Sequence, residues 1–230
     1  MTIRQRLQAT VLIASLVVGA AGGSSILRYR KGQDFDLVAS ANPATPQSSD
    51  ADRTAMYERA GAKRTQADAV ASASATCDSC TGTATAVQVI YFGKARKGTA
   101  DNMATAWSSC RNCGAISVSV QVVVVRPGTN VTARNRALAV NASCAGCSTA
   151  AVAVQFVVVT KKHKAFSRNG RAQLEALANQ LEAELRGASL TKAARTAAAN
   201  EKVGLPGFEA LVRNELKPTT MRPSFAIKTG

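Results

Sequence analysis

The sequence predicts an α/β fold: three helix–C-x-x-C–strand repeats forming a small parallel sheet with helices on one face, closed by a C-terminal helical cap. Three observations predict it. One unit recurs as CDSCTGTATAVQVIYF, CRNCGAISVSVQVVVV and CAGCSTAAVAVQFVVV, with first cysteines Cys77, Cys110 and Cys144 at offsets of 33 and 34. Each second cysteine (Cys80, Cys113, Cys147) stands eight residues before a glutamine (Gln88, Gln121, Gln155), and each first cysteine follows Asp68, Asp101 or Asn135 by nine. Hydrophobic residues make up 46% of the chain but aromatics only 4%, so the apolar content is largely Ala and Val, which suits short strands and alanine-rich helices. Self-similarity at a fixed period marks an array of one supersecondary unit, each copy burying its face on the next.

The elements follow in chain order. Arg4 and Arg6 precede an apolar stretch over residues 7–27 with small residues at Val18-Gly19-Ala20-Ala21, the pattern of a secretory signal peptide. As an uncleaved membrane anchor the same stretch would rise roughly 31 Å as a helix, enough to cross a bilayer. Either reading of residues 1–27 places the body in the extracellular space or the cell envelope. Residues 28–64, which include ASANPATPQSSDAD, read as a flexible linker.

Residues 65–160 are the triple-repeat domain. After Asp68, Asp101 and Asn135 come AVASASAT, NMATAWSS and RALAVNAS, where an N-cap residue and helix-favouring Ala predict a short helix. The run after each cysteine pair alternates and predicts a strand. In the second copy Ile116, Val118, Val120, Val122 and Val124 share a bulky face, and Ala115, Ser117, Ser119 and Gln121 share a small one. A strand–crossover–strand order makes neighbouring strands parallel, so Gln88, Gln121 and Gln155 are expected to stack as a structural hydrogen-bonded ladder. A parallel sheet is covered on both faces, and the second cover is expected from the C-terminal helices or a partner chain.

Residues 161–230 are a basic, helical C-terminal region. Leu174, Leu177, Leu181 and Leu185 form one stripe of a helix over 171–186. Weaker helical segments are expected over 190–202 and 208–217, with a loose tail from Pro218.

All six cysteines fall in the three C-x-x-C pairs, and three chemistries compete. A redox pair sits where a helix N-terminus lowers the thiol pKa, whereas here each pair would follow a helix C-terminus. Zinc needs four ligands, and six cysteines leave two over. Within-pair structural disulfides, Cys77–Cys80, Cys110–Cys113 and Cys144–Cys147, agree with an exported chain and are the favoured reading.

The sequence resembles a known group at this point. An Asp/Asn-led alanine-rich helix, C-x-x-C, and a small-residue strand ending in VQVVVV resemble uncharacterised exported C-x-x-C repeat proteins of actinobacteria, over about residues 65–160. Some of that group carry a peptide zinc metalloprotease label. This chain has no H-E-x-x-H, and its single histidine, His163, stands in Lys161-Lys162-His163-Lys164. One imidazole in 230 residues also leaves no credible hydrolytic triad.

The net charge of +15 favours polyanions without choosing among them. The function expected is therefore non-catalytic, with no catalytic residue, cofactor or metal. It is that of an exported or membrane-anchored structural or interaction protein, self-associating, bound to a protein partner, or holding an anionic envelope polymer. Nucleic-acid or zinc binding is the alternative, and the scarcity of aromatics for base stacking counts against the former.

Overall fold

The alternation of alanine, rather than its abundance, decides the backbone of the repeats. The structure is a computed structural model, and it describes residues 32–93, 95–162, 164–187 and 205–230. The signal or anchor segment, His163 and the helix expected over 190–202 lie outside those residues.

The segments expected as repeat helices are strands: β3 (Arg64–Ala75), β5 (Lys97–Ser108) and β7 (Asn130–Asn141). In β3, Ala67, Ala69, Ala71, Ala73 and Ala75 are all buried, while Gln66, Asp68, Val70, Ser72 and Ser74 point away from the core. A period of two sorts side chains onto the two faces of a strand, whereas a helix would spread those five alanines around its axis. The helix preference of Ala, at most about 0.7 kcal/mol per residue over ordinary residues, loses to burial between two paired neighbours. Asp68 and Asp101 are accordingly mid-strand residues in register with each other, not helix caps.

The cysteine-led runs are strands as expected: β4 (Thr81–Phe92), β6 (Gly114–Val125) and β8 (Ser148–Val159). Two further strands, β1 (Gln33–Ala41) and β2 (Ser49–Ala60), occupy the expected linker. Strands β1-β3-β5-β7 form one sheet; β2-β4-β6-β8 form the other, which β9 (Thr220–Thr229) extends. All pairings are parallel except β8–β9. In the first sheet the register steps from Gln33 to Thr65, Gly98 and Val131, and in the second from Ser49 to Thr81, Gly114 and Ser148. Each unit of 32–34 residues is thus one coil of a β-solenoid with a strand in each sheet. The α/β expectation with helices on one face is overturned, because the small face of the predicted sheet packs on a second sheet.

The turn between β1 and β2 shows why the first coil is hard to recognise. Thr45-Pro46-Gln47-Ser48 takes the place of C-x-x-C. Gln47 donates its N–H to the Asp78 carbonyl as Ser79 does to Arg111 and Asn112 to Ala145. Gln47, Ser79, Asn112 and Gly146 all have positive φ, between 52° and 70°, the left-handed conformation that lets a four-residue turn reverse the chain.

The glutamine row divides the space between the sheets. On the cysteine side the filling is small: Ala71, Ala73, Ala104 and Ala106 face Ala84, Ala86, Ala115 and Ala153. On the other side it is bulkier, with Ile90, Phe92, Val123, Val125 and Val157. A Cβ on Gly98 would overlap the Phe92 ring, so this glycine makes room for the largest inner side chain.

The outer, bulky face of the second sheet (Val118, Val120, Val152, Val154, Phe156) lies under α1 (Arg168–Arg186) and α2 (Leu205–Leu216), through Leu174, Leu181, Leu185, Phe208 and Leu216. The C-terminal helices therefore supply the expected cover. Fully buried Glu182 fixes α1 to β2. It accepts from Arg53 Nε and Nη2 at 3.0 and 2.7 Å and from Thr85 Oγ1 at 2.6 Å, and it pairs with Arg186. Tyr57 Oη donates to Glu175 Oε1 at 2.9 Å, and burial together with that carboxylate pushes its hydroxyl far above the ordinary tyrosine range.

Residues after Pro218 are strand β9, not a loose tail. Its residues Met221, Phe225 and Ile227 join the helix-covered layer, and Pro223 is tolerated because β9 is an edge strand. At the opposite end, the Asp52 and Asp50 carboxylates accept from the amides of Ser40 in β1 and of Asn42 just after it, both at 2.7 Å. These groups blunt strand edges that would otherwise template further pairing.

Candidate functional site

A solenoid repeats its turns as it repeats its strands, so each lateral edge of the molecule stacks equivalent residues at about 4.8 Å per coil. Both edges carry chemistry.

Along one edge stand the three cysteine pairs, each in the turn from the first sheet to the second. Cys77–Cys80, Cys110–Cys113 and Cys144–Cys147 are at disulfide distance, with Cα–Cα separations of 5.5, 6.0 and 5.8 Å. Cys80, Cys110 and Cys113 are buried and the others half-buried. The turns are tied to one another. Asp78 accepts from the Arg111 amide at 3.0 Å and from its guanidinium at 3.1 Å. Those two donors hold the Asp78 carboxyl below the usual aspartate range.

The pairs are not evenly spaced. The Cys113 Sγ lies 3.1 Å from the Cys147 Sγ and 3.8 Å from the Cys144 Sγ. Among the described residues, Cys110, Cys113 and Cys147 form the one group of three or more potential ligand residues whose donor atoms all lie within 4.8 Å.

Behind this edge, the three glutamines occupy one register row. Gln155 Nε2 donates to Gln121 Oε1 and Gln121 Nε2 to Gln88 Oε1, both at 2.7 Å. Each amide also reaches across to backbone carbonyls of the first sheet: Gln88 to Phe35, Gln121 to Ala67, and Gln155 to Arg134. The row is buried and saturated, so its chemistry is structural. A second polar row runs beside it, where Asn102 Nδ2 donates to Asn135 Oδ1 at 2.8 Å.

The opposite edge gathers basic residues that stand far apart in the sequence. Its turns read GAKR (61–64), GKARK (93–97), RPGTN (126–130) and TKKHK (160–164), and none contains an acid. Lys63, Arg64, Arg96, Lys97, Lys161, Lys162 and Lys164 are all exposed there. Arg64, Lys97 and Asn130 are register partners on β3, β5 and β7. They form one wall of a shallow cleft of about 440 Å³. Gln66, Thr99 and Thr132, also register partners, line the next row, with Asp34 at the β1 end. The cleft crosses the strands, so it runs along the solenoid axis. The doublets Lys63-Arg64 and Arg96-Lys97, 33 residues apart, were the available signal for this edge.

Among the described residues no element packs over the outer face of the first sheet. Trp107 is 39% exposed there beside its register partner Val140. No family model matches the chain, and neither a curated protein nor a solved structure matches it.

Proposed function

We propose that this chain is an exported, non-catalytic β-solenoid, stapled by its cysteine pairs, that holds a linear anionic polymer of the cell envelope along its basic edge. The observation that carries the reading is the stack of acid-free basic turns, each one coil from the next. The solenoid backbone fixes the spacing of these cations before any ligand arrives, so on the protein side binding has only to order their side chains. Disulfides are compatible with an extracellular location. Among the described residues no helix is long and apolar enough to cross a membrane. The resemblance to exported actinobacterial repeat proteins supports an envelope setting. Blunted strand ends at Asp50, Asp52 and Pro223 favour a polymer ligand over self-stacking.

The test compares binding of poly(glycerol phosphate) and of double-stranded DNA as a function of salt. Affinity for the envelope-type polymer should fall linearly on a log–log plot, since bound cations displace counterions. The double substitution Arg64→Gln, Lys97→Gln should lower that slope by about two. Binding to DNA alone, or an unchanged slope in the variant, would sink the proposal.

A further inference from the structure

Three sulfurs of the second and third cysteine pairs, those of Cys110, Cys113 and Cys147, cluster together, and the fourth, that of Cys144, borders the cluster at Cys113. Cys113 Sγ is 3.1 Å from Cys147 Sγ and 3.8 Å from Cys144 Sγ, and Cys110 Sγ lies within 4.8 Å of both Cys113 and Cys147 Sγ. The cause is one extra residue in the third turn. Cys144 follows Cys110 by 34 where Cys110 follows Cys77 by 33, and Ser143 takes a positive φ of 50° to accommodate the insertion. The second pair leans on the coil before it at Ala75, with Cys110 Sγ 3.0 Å from the Ala75 carbonyl oxygen. The third pair leans further along, with both sulfurs 2.8 and 2.9 Å from the Cys110 carbonyl oxygen, and so lies against the second pair itself. Cys77, by contrast, sits against the Thr45 and Pro43 carbonyls, where the matching turn has Thr45 and Ser48 in place of cysteines.

We propose that, when its cysteines are thiols, the chain binds one thiophilic divalent cation, Zn²⁺, through Cys110, Cys113, Cys144 and Cys147. Tetrahedral zinc with bonds of about 2.3 Å sets its sulfurs about 3.8 Å apart. Small movements reach that spacing from the 3.1 and 3.8 Å between Cys113 Sγ and the third pair, and Cys144 Sγ would turn inward to join Cys110 Sγ. Within each pair, Cα separations of 6.0 and 5.8 Å let side-chain rotation open the sulfurs to that distance. Positive-φ Asn112 and Gly146 turn both loops the same way. Four thiols and Zn²⁺ give a tetrathiolate of net charge −2 and release four protons. A disulfide oxidant then converts the site. Two oxidant disulfides accept four electrons and leave as four thiolates, two within-pair disulfides form, and Zn²⁺ departs. The metal-bearing form belongs to a reducing compartment and the stapled form to an oxidising one. The inference rests on sulfur geometry and stands apart from the polymer reading.

The experiment uses the full chain, purified from a reducing cytosol and kept reduced with a phosphine. Metal analysis should give one Zn²⁺ per chain, and Co²⁺ should produce the ligand-field bands of a tetrahedral tetrathiolate. Alkylation followed by peptide mass mapping should find Cys110, Cys113, Cys144 and Cys147 protected by Zn²⁺ and Cys77 and Cys80 modified; this readout needs no variant. Cys113→Ser should lose the Co²⁺ tetrathiolate spectrum, and the double variant Cys77→Ser, Cys80→Ser should keep it. Absence of bound metal, equal protection of all six cysteines, or loss of the spectrum in the Cys77/Cys80 variant would each overturn the assignment.

Discussion

Replacing Gln121 by Leu tests whether the glutamine row is a cooperative element or three independent amides. Gln121 is the middle member: its Nε2 donates to Gln88 Oε1 and the Ala67 carbonyl, and its Oε1 accepts from Gln155 Nε2. Leucine keeps most of the volume, so the cavity contribution is small. It leaves Gln88 Oε1 without its donor in a buried row, while Gln155 Nε2 keeps the Ala100 and Arg134 carbonyls as acceptors. An orphaned buried acceptor costs about 1–3 kcal/mol and the severed bond from Gln155 a net of about 0.5–1.5 kcal/mol more, so Gln121→Leu should destabilise by about 1.5–4.5 kcal/mol. Gln155→Leu severs only one of the two links and orphans Gln121 Oε1, so it should cost about 1–3 kcal/mol. The assay is urea unfolding at equilibrium with the disulfides intact, where a shifted midpoint at constant slope reports stability. A Gln121→Leu loss below about 1 kcal/mol, or a loss no larger than that of Gln155→Leu, would refute the reasoning. Either result would mean that the amides relax onto backbone carbonyls without each other.

Two further outcomes are expected. Glu182→Ala removes the buried acceptor of Arg53 and Thr85; because Arg53 can turn toward water, the loss should fall at or somewhat below the range for broken buried pairs, about 2–4 kcal/mol, and a guanidinium midpoint shift under 1 kcal/mol would contradict it. Asp78→Asn breaks the link between the first two cysteine turns. The folded-state pKa of Asp78 lies below its ordinary 3.8, so the wild type's advantage should be fully present near neutrality and disappear as pH falls through that lowered value. Unfolding midpoints of both proteins across the acid range check this, and a gap that persists or widens in acid would count against it.

Much of the second sheet was legible. The eight-residue spacing from Cys80 to Gln88, repeated from Cys113 to Gln121 and Cys147 to Gln155, implied equal height in every copy, and the three strands pair in that register. The bulky and small faces of β6 were also readable, because strand periodicity assigns each side chain to a face without reference to its neighbours. The first sheet was missed. Its alternation of Ala with Asp, Ser and Val satisfies a strand, but Ala and an N-cap residue satisfy a helix equally well, and local preference cannot arbitrate when both states are a few tenths of a kcal/mol apart per residue. The first coil was missed for a different reason: Thr45 and Ser48 carry none of the sulfur that marks its siblings.

For the candidate sites the division is similar. Sequence alone determined that six cysteines form three equivalent pairs and that three glutamines share a level, because a repeat needs only one dimension to be counted. Tertiary structure decided that the AVASASAT-type segments are strands, because only a second sheet gives their alanines a surface to bury against. It also decided that Arg64 and Lys97 stand side by side, since a coil of 33 residues brings together in space what the chain holds far apart. The one-residue insertion at Ser143 shows the same dependence most sharply. In sequence it is an offset of 34 instead of 33, and in the folded solenoid it tips one cysteine pair onto the next.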